Sequence, residues 1–153
     1  MEGTNFTTVD GTLSSVGVLE GYVGDTNWTN YSVEFDLLDL GGSFSDTGLR
    51  VQLRRQDNSN YMVWKFNNNW RCTFTWSKIV EGKETPIANT KKDSPCKGRF
   101  KFEVSGNTYR MLVDGKQLLT FTDNTFGVGG AGLVSDRGDM KLILDNFRVI
   151  AVP

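Results

Sequence analysis

Two neighbouring segments of the sequence, residues 48–55 and 60–66, carry side chains that suit a ligand rich in hydroxyl groups. Polar and apolar residues alternate along both segments. In a β-strand this alternation places the two sets on opposite faces. Guanidinium and amide groups can bind adjacent hydroxyls, carboxylates can accept from them, and an aromatic ring can cover the apolar face of a sugar. The predicted ligand-binding residues are Glu34, Asp36, Arg50, Gln52, Arg54, Tyr61, Lys65, Trp70 and Arg71.

We expect all of these residues except Trp70 to share the outer face of adjacent strands. Glu34 and Asp36 would come from the alternating strand at 31–40, and the basic residues from the segments after it. The basic excess also suits uronate, sulfate or phosphate groups. The alternative is that these residues are only solvated charges on an exposed sheet.

A β-hairpin is predicted for residues 60–76, where two aromatic and β-branched runs flank a polar turn at 67–69. A short loop would set Phe66 opposite Trp70 and Trp64 opposite Cys72. On this pairing Trp64 belongs to the core, whereas Trp70 and Trp76 could lie at the rim and stack on a sugar.

Length and composition fit a single domain spanning residues 1–153. The chain has 153 residues and a net charge of −1, which gives no overall argument for nucleic acid or an anionic membrane as a partner. Its apolar runs are far shorter than the ~20 residues of a membrane helix. Residues 1–3 do not resemble a signal peptide, and we expect a secreted, extracellular domain whose leader is absent from this segment.

The order of short strands and turn signals predicts an all-β protein. About a dozen strands, separated by turns such as Asp10-Gly11 and Asp114-Gly115, are typical of an antiparallel two-sheet β-sandwich of the jelly-roll kind.

Two cysteines, Cys72 and Cys96, are expected to form one disulfide; the alternative is that they remain separate thiols. A zinc site is not expected, because the chain has no histidine and no Cys-x-x-Cys spacing.

The order of several short motifs resembles the concanavalin A-like lectin and glucanase superfamily across nearly the whole chain. The motifs are Trp28-x-x-Tyr31-x-Val33, Gly48-Leu49, Asn60-Tyr61, Tyr109-x-x-x-Val113-Asp114-Gly115-Lys116, Asp123-x-x-Phe126-x-x-Gly129, Gly132-Leu133 and Leu144-Asp145-Asn146-Phe147-x-Val149. Within that superfamily the chain is most similar to laminin-G-like carbohydrate-binding modules, including the levan-binding type, and to 3-keto-disaccharide hydrolase-like domains. The resemblance implies a carbohydrate-binding module appended to a larger enzyme, with Trp28 plugging one end of the sandwich.

The resemblance also suggests a catalytic alternative. Residues 34–39, Glu-Phe-Asp-Leu-Leu-Asp, approximate the Glu-x-Asp-x-x-Glu signature of laminarinase-like hydrolases of this fold, in which two carboxyl groups cleave the glycosidic bond. Here Asp39 replaces the final glutamate, and no long loops are available to build a deep cleft. We therefore expect a binding module and not an enzyme. The alternatives are a small glycoside-acting enzyme and an adhesion or protein-interaction domain.

A structural calcium ion is the cofactor that the resemblance implies. In related sandwich modules such an ion often ties the early strands to the closing strand, and Asp145 occupies the matching position. Glu20, Asp25 and backbone carbonyls could complete an oxygen cage. The alternative is that Asp145 only hydrogen-bonds a neighbouring loop.

Overall fold

The computed structural model describes residues 2–4, 7–9, 12–16, 19–41, 49–68, 72–90, 94–135 and 141–153. Fourteen strands run through these ranges. They are β1 Glu2–Thr4, β2 Thr7–Val9, β3 Thr12–Val16, β4 Leu19–Val23, β5 Tyr31–Gly41, β6 Leu49–Asp57, β7 Asn60–Asn68, β8 Cys72–Val80, β9 Lys83–Asn89, β10 Gly98–Ser105, β11 Thr108–Val113, β12 Lys116–Thr122, β13 Gly130–Ser135 and β14 Lys141–Ala151. Within these ranges there is no helix long and apolar enough to cross a membrane.

The strands form two sheets of seven, which confirms the predicted all-β antiparallel sandwich. The first sheet has the order β1-β4-β13-β6-β7-β8-β9, and the second has the order β12-β11-β10-β5-β14-β3-β2. Neighbouring strands pair antiparallel. The alternating apolar residues of both sheets meet between them, as packed sheets require.

Aromatic side chains dominate this core. The ring centroid of Trp64 lies 4.4 Å from that of Phe102 in the opposite sheet and 5.0 Å from that of Phe74 beside it. Trp64 is fully buried, so its predicted place in the core is confirmed.

The hairpin of β7 and β8 has the predicted apolar face but a different register. Phe66 pairs with Phe74 and Trp64 with Trp76, because the ladder continues to Asn68 opposite Cys72 instead of turning at 67–69. Each β7 residue thus meets a partner four residues later than predicted. A shift by an even number keeps every side chain on its face. The expectation that Trp76 lies at the rim is wrong, since this register places it opposite Trp64, with none of its surface exposed.

Cys72 and Cys96 form a disulfide. Their Cα atoms are 5.3 Å apart, and the bridge closes a segment with a sequence separation of 24 residues. It ties the start of β8 in the first sheet to the segment that leads into β10 in the second.

Candidate functional site

A cleft of about 210 Å³ opens on the outer face of the first sheet. We call it the outer-face cleft. Its lining consists of Glu20, Tyr22, Arg50, Gln52, Arg55, Asn58, Tyr61 and Val134. Three of these residues, Arg50, Gln52 and Tyr61, belong to the predicted binding set.

Strand register explains why these side chains meet. Val134 of β13 pairs with Glu20 on one side and with Arg50 on the other, and Arg50 pairs in turn with Lys65 of β7. Residues that pair directly share a face of the sheet. One row across four strands therefore carries an acid, an apolar residue and two bases on the outer face.

The next row across the sheet contains Tyr22, Gly132 and Gln52. A Cβ atom at Gly132 would lie 2.9 Å from Cδ1 of Tyr22 and 3.1 Å from Oε1 of Gln52. The missing side chain thus lets the tyrosine ring and the amide approach each other across β13.

Gln52 forms the base of the cleft and has an unmet hydrogen-bonding requirement. The residue is only 6% exposed, and its Oε1 is buried without a hydrogen-bond partner among the described residues. An unsatisfied buried acceptor is costly, and such atoms in native proteins call for an explanation. A ligand hydroxyl would satisfy this oxygen.

Three further contacts hold the wall of the cleft in place. The guanidinium of Arg55 lies 3.7 Å from the centre of the Tyr22 ring, in a cation–π arrangement. Arg55 also donates to the Asn58 side chain, and the Tyr22 hydroxyl donates to Glu20. These contacts fix the orientation of the ring.

Charged residues also lie beside Arg50 and Tyr61, which form the rest of the cleft wall. Lys65 forms an ion pair with Glu84. Burial alone would raise the pKa of Glu84, but hydrogen bonding to Lys65 and the charges of Lys65 and Arg50 outweigh it and hold this pKa below its usual range. Burial raises the pKa of the Tyr61 hydroxyl, which therefore keeps its proton to donate at neutral pH.

Arg54 was predicted on this outer face, and the structure corrects that prediction. The residue is 1% exposed and points into the sandwich. The pairing of β6 with β7 is interrupted between Leu53 and Asp57, and Arg54 has the left-handed φ of 51°. This bulge reverses the alternation, so Arg54 turns inward and Arg55 turns outward.

Glu34 and Asp36 were also predicted on the same surface as Arg50, and this prediction is wrong. They belong to β5, which lies in the second sheet. Glu34 accepts from Arg148 at 2.9 Å, and Asp36 accepts from Arg99 at 2.9 and 3.1 Å. Alternation along a strand gives the face of a residue but not the sheet that its strand joins.

The outer face of the second sheet is a network of ion pairs. Lys101 lies 3.1 Å from Glu103 and 3.7 Å from Glu34, and Arg110 lies 3.6 Å from Glu103. Hydrogen bonds from Arg99 and Asn146 hold the pKa of Asp36 below its usual range. An acid that must protonate a leaving group needs the opposite shift.

The predicted calcium ligands do not form a common cage. Within the described ranges, no three His, Cys, Asp or Glu residues are placed so that they could hold a metal ion. Glu20 lines the outer-face cleft in the first sheet, whereas Asp145 pairs with Asp36 in the second. Asp25 accepts from the Asn27 N–H at 3.0 Å in the loop after β4. These residues do not fit a shared ion, and whether the chain binds calcium stays a prediction.

Trp70, Arg71 and the side chain of Asp39 lie outside the described residues. The cleft contains five residues that the sequence did not assign to the binding set: Glu20, which was predicted as a calcium ligand, and Tyr22, Arg55, Asn58 and Val134. The clearest sequence signal for Tyr22 is its position between two glycines in a short strand.

No protein-family model matches the chain, and no curated protein matches its sequence. Solved structures do share its fold. The carbohydrate binding module CBM66 from Bacillus subtilis superimposes with a TM-score of 0.70 and 18% identity over 98% of this chain and 92% of that one. Sheep galectin-11 gives 0.61 and 16%, over 86% of this chain and 96% of the galectin.

A third structure contains the fold as part of a longer chain. The GH43 protein BlXynB from Bacillus licheniformis matches 99% of this chain but only 40% of its own, with a TM-score of 0.59 and 13% identity. The chain therefore has the concanavalin A-like, galectin-like β-sandwich fold that its motifs indicated.

Proposed function

We propose that this chain is a non-catalytic carbohydrate-binding module that holds a saccharide in the outer-face cleft. The observation that carries the proposal is the buried Oε1 of Gln52, which has no hydrogen-bond partner in the described part of the chain and lies at the base of a cleft walled by tyrosine and arginine. Binding modules and lectins among the structures of the same fold support a carbohydrate as the ligand.

The geometry suits a saccharide in three ways. Tyr22 and Tyr61 offer aromatic surface to the apolar face of a sugar ring. Arg50 can donate to neighbouring hydroxyls, and Gln52 can accept from one through Oε1. Glu20 adds an acceptor, so the cleft offers both a donor and an acceptor to a sugar hydroxyl group.

We further propose that the module works outside the cell and keeps an attached enzyme near its polysaccharide. The Cys72–Cys96 disulfide favours an oxidising compartment. The match to a minor part of BlXynB shows that this fold can be carried within a longer protein.

The runner-up function is glycoside hydrolysis by the acids of β5. Glu34 and Asp36 are each engaged by arginine, and the pKa of Asp36 is held below its usual range by Arg99, which disfavours Asp36 as an acid catalyst. Incubating wild type and Glu34→Gln with polysaccharides should release no sugar from either. Turnover that disappears in Glu34→Gln would establish the enzyme instead.

Affinity gels containing levan, galactan, xylan or polygalacturonate test the binding function. At least one gel should retard the wild type, and the double variant Arg50→Ala/Tyr61→Ala should run freely in it. Arg110→Ala, which removes the same charge from the second sheet, is the matched control and should be retarded normally. The proposal is wrong if no gel retards the protein, or if only the control variant loses retardation.

A further inference from the structure

A larger hollow of about 590 Å³ lies at one end of the sandwich, where three connecting segments meet. We call it the end hollow. The segments are the loop before β5, the turn between β10 and β11, and the loop between β12 and β13. The residues that matter here are Asn30, Arg54, Gly106, Asn107, Asp123 and Asn124.

Arg54 holds two of these segments together from inside. Its Nη1 donates to the Phe126 carbonyl at 2.7 Å, and its Nη2 donates to the Gly106 carbonyl at 2.8 Å. The side chain is almost wholly buried, and its Nε has no hydrogen-bond partner among the described residues. Because Arg54 lines the end hollow, a polar ligand bound there would meet the need of this buried donor.

Hydrogen bonds among the described residues orient the side-chain amides around the hollow but use only some of their donors and acceptors. Asn107 Nδ2 donates to Asn124 Oδ1 at 2.9 Å, and Asn30 Oδ1 accepts from the Gly106 N–H at 2.9 Å. As far as the described residues go, these bonds leave the NH₂ groups of Asn30 and Asn124 as donors and the Oδ1 of Asn107 as an acceptor.

Asp123 supplies a charged acceptor. Its Oδ1 accepts from the Thr125 N–H at 2.8 Å, and its Oδ2 lies 3.4 Å from Lys78 Nζ. Burial alone would raise its pKa, but the bonds from Thr125 and the charge of Lys78 outweigh it and keep the pKa below the usual range. The carboxylate is therefore ionised at neutral pH.

The charges select the class of ligand. Arg54 and Lys78 place two positive charges near the single carboxylate, which disfavours a metal ion. Donors and acceptors are interspersed, and a hydroxyl group can satisfy both because it donates and accepts. We propose that the end hollow is a second saccharide site, in which Asn30, Asn107, Asp123 and Asn124 bind the hydroxyls of a neutral sugar.

This inference rests on the proposed function for its ligand class but on separate residues for its site. The two sites adjoin at β6, where Arg54 borders the end hollow and Arg55 borders the outer-face cleft. A monosaccharide would occupy each independently. A longer saccharide that reaches both would bind more tightly through effective concentration.

Titrating the ¹⁵N-labelled chain with fructose, galactose and xylose, each followed by amide NMR spectra, tests the second site. At least one sugar should shift the amides of Asn30, Gly106 and Asn124. Asn124→Ala should weaken the response at the hollow about five- to tenfold, the equivalent of one or two hydrogen bonds, and leave the shifts of Gln52 and Tyr61 unchanged. Gln117→Ala, an exposed amide at the other end of β12, is the matched control and should change neither response.

The pattern of shifts separates this inference from the proposed function. Chemical-shift changes in the end hollow alone would support the second site and contradict saccharide binding in the outer-face cleft. Changes in the cleft alone would contradict the second site. No shift with any sugar would overturn both. Calcium chloride is added in a separate titration, and shifts of the hollow amides with calcium but not with sugar would replace the saccharide by a metal ion.

Discussion

Arg54 and Arg55 are consecutive in β6, yet their side chains leave the strand in opposite directions and serve different parts of the molecule. Arg54 turns inward to the carbonyls of Phe126 and Gly106, whereas Arg55 lies outward over the ring of Tyr22. The left-handed backbone at Arg54 produces this division. Gly129 permits it, since a Cβ there would lie 2.2 Å from the Arg54 carbonyl carbon.

This relationship predicts opposite phenotypes for two neighbouring substitutions. Arg54→Ala should lower the free energy of unfolding by about 3 kcal/mol, because it removes two charge-assisted hydrogen bonds, one buried bond to Phe126 and one partly buried bond to Gly106. Arg55→Ala should change it by less than about 0.5 kcal/mol but weaken saccharide binding in the cleft. Urea unfolding and calorimetric titration measure the two effects. Equal destabilisation by both variants would contradict the assigned directions.

The sequence predicts correctly those features that depend only on neighbouring residues in the chain. Alternation placed Trp64 and Phe66 in the core and Arg50 and Gln52 outside, because side-chain direction in a strand depends only on parity. The bulge at Arg54 could not be predicted, since a non-glycine residue with positive φ has no clear local signal.

Strand order is a non-local property, which limited the prediction of the site. Glu20 meets Arg50 only because β13, more than a hundred residues later than β4, inserts between their strands. Glu34 was separated from Arg50 for the same reason, since β5 joins the other sheet. The register of the hairpin was missed because asparagines that favour turns pair here within the ladder.

The disulfide predicts a redox-dependent stability. Reducing the Cys72–Cys96 bond should lower the free energy of unfolding by roughly 3 kcal/mol, because the bridge restricts the unfolded chain over a separation of 24 residues. Urea unfolding with and without reductant measures the difference. A Cys72→Ala/Cys96→Ala variant should have the same free energy of unfolding as the reduced wild type, both with and without reductant. Identical curves for oxidised and reduced wild type would contradict the stabilising role.

Stability should also fall in alkaline solution. Burial raises the pKa of Tyr109 from 10.0 to about 12. The unfolded chain therefore releases this proton first, so the contribution is complete below pH 10 and is lost as the pH rises towards about 12. Burial raises the pKa of Tyr31 as well, in the same direction.

Tyr109→Phe isolates this effect, because the Tyr109 hydroxyl has no hydrogen-bond partner among the described residues. Its unfolding free energy should resemble that of wild type at neutral pH and decline less steeply above pH 10. Urea unfolding across this range provides the measurement. Parallel pH profiles for the two proteins would show that Tyr109 does not contribute.

Gly132→Ala should impair the cleft by moving its wall. The added Cβ would lie 2.9 Å from the Tyr22 ring, which must shift to accommodate it. We expect weaker saccharide binding with a small loss of stability. Gly127→Ala adds the same methyl group where nothing lies within 4 Å, and serves as the control for stability. Undiminished affinity of the Gly132→Ala cleft would show that the position of Tyr22 is unimportant for binding.

Gln52→Leu tests the central claim most directly, because it removes the buried acceptor while retaining the approximate volume of the side chain. Gln56→Leu, on the same strand but exposed, is the matched control. The measurement is calorimetric titration of both variants and wild type with oligosaccharides of the polysaccharide that retards the wild type in affinity gels. We predict about tenfold weaker binding for Gln52→Leu alone, as expected for one lost hydrogen bond in a desolvated site. Equal affinities for all three proteins would contradict saccharide recognition by the outer-face cleft.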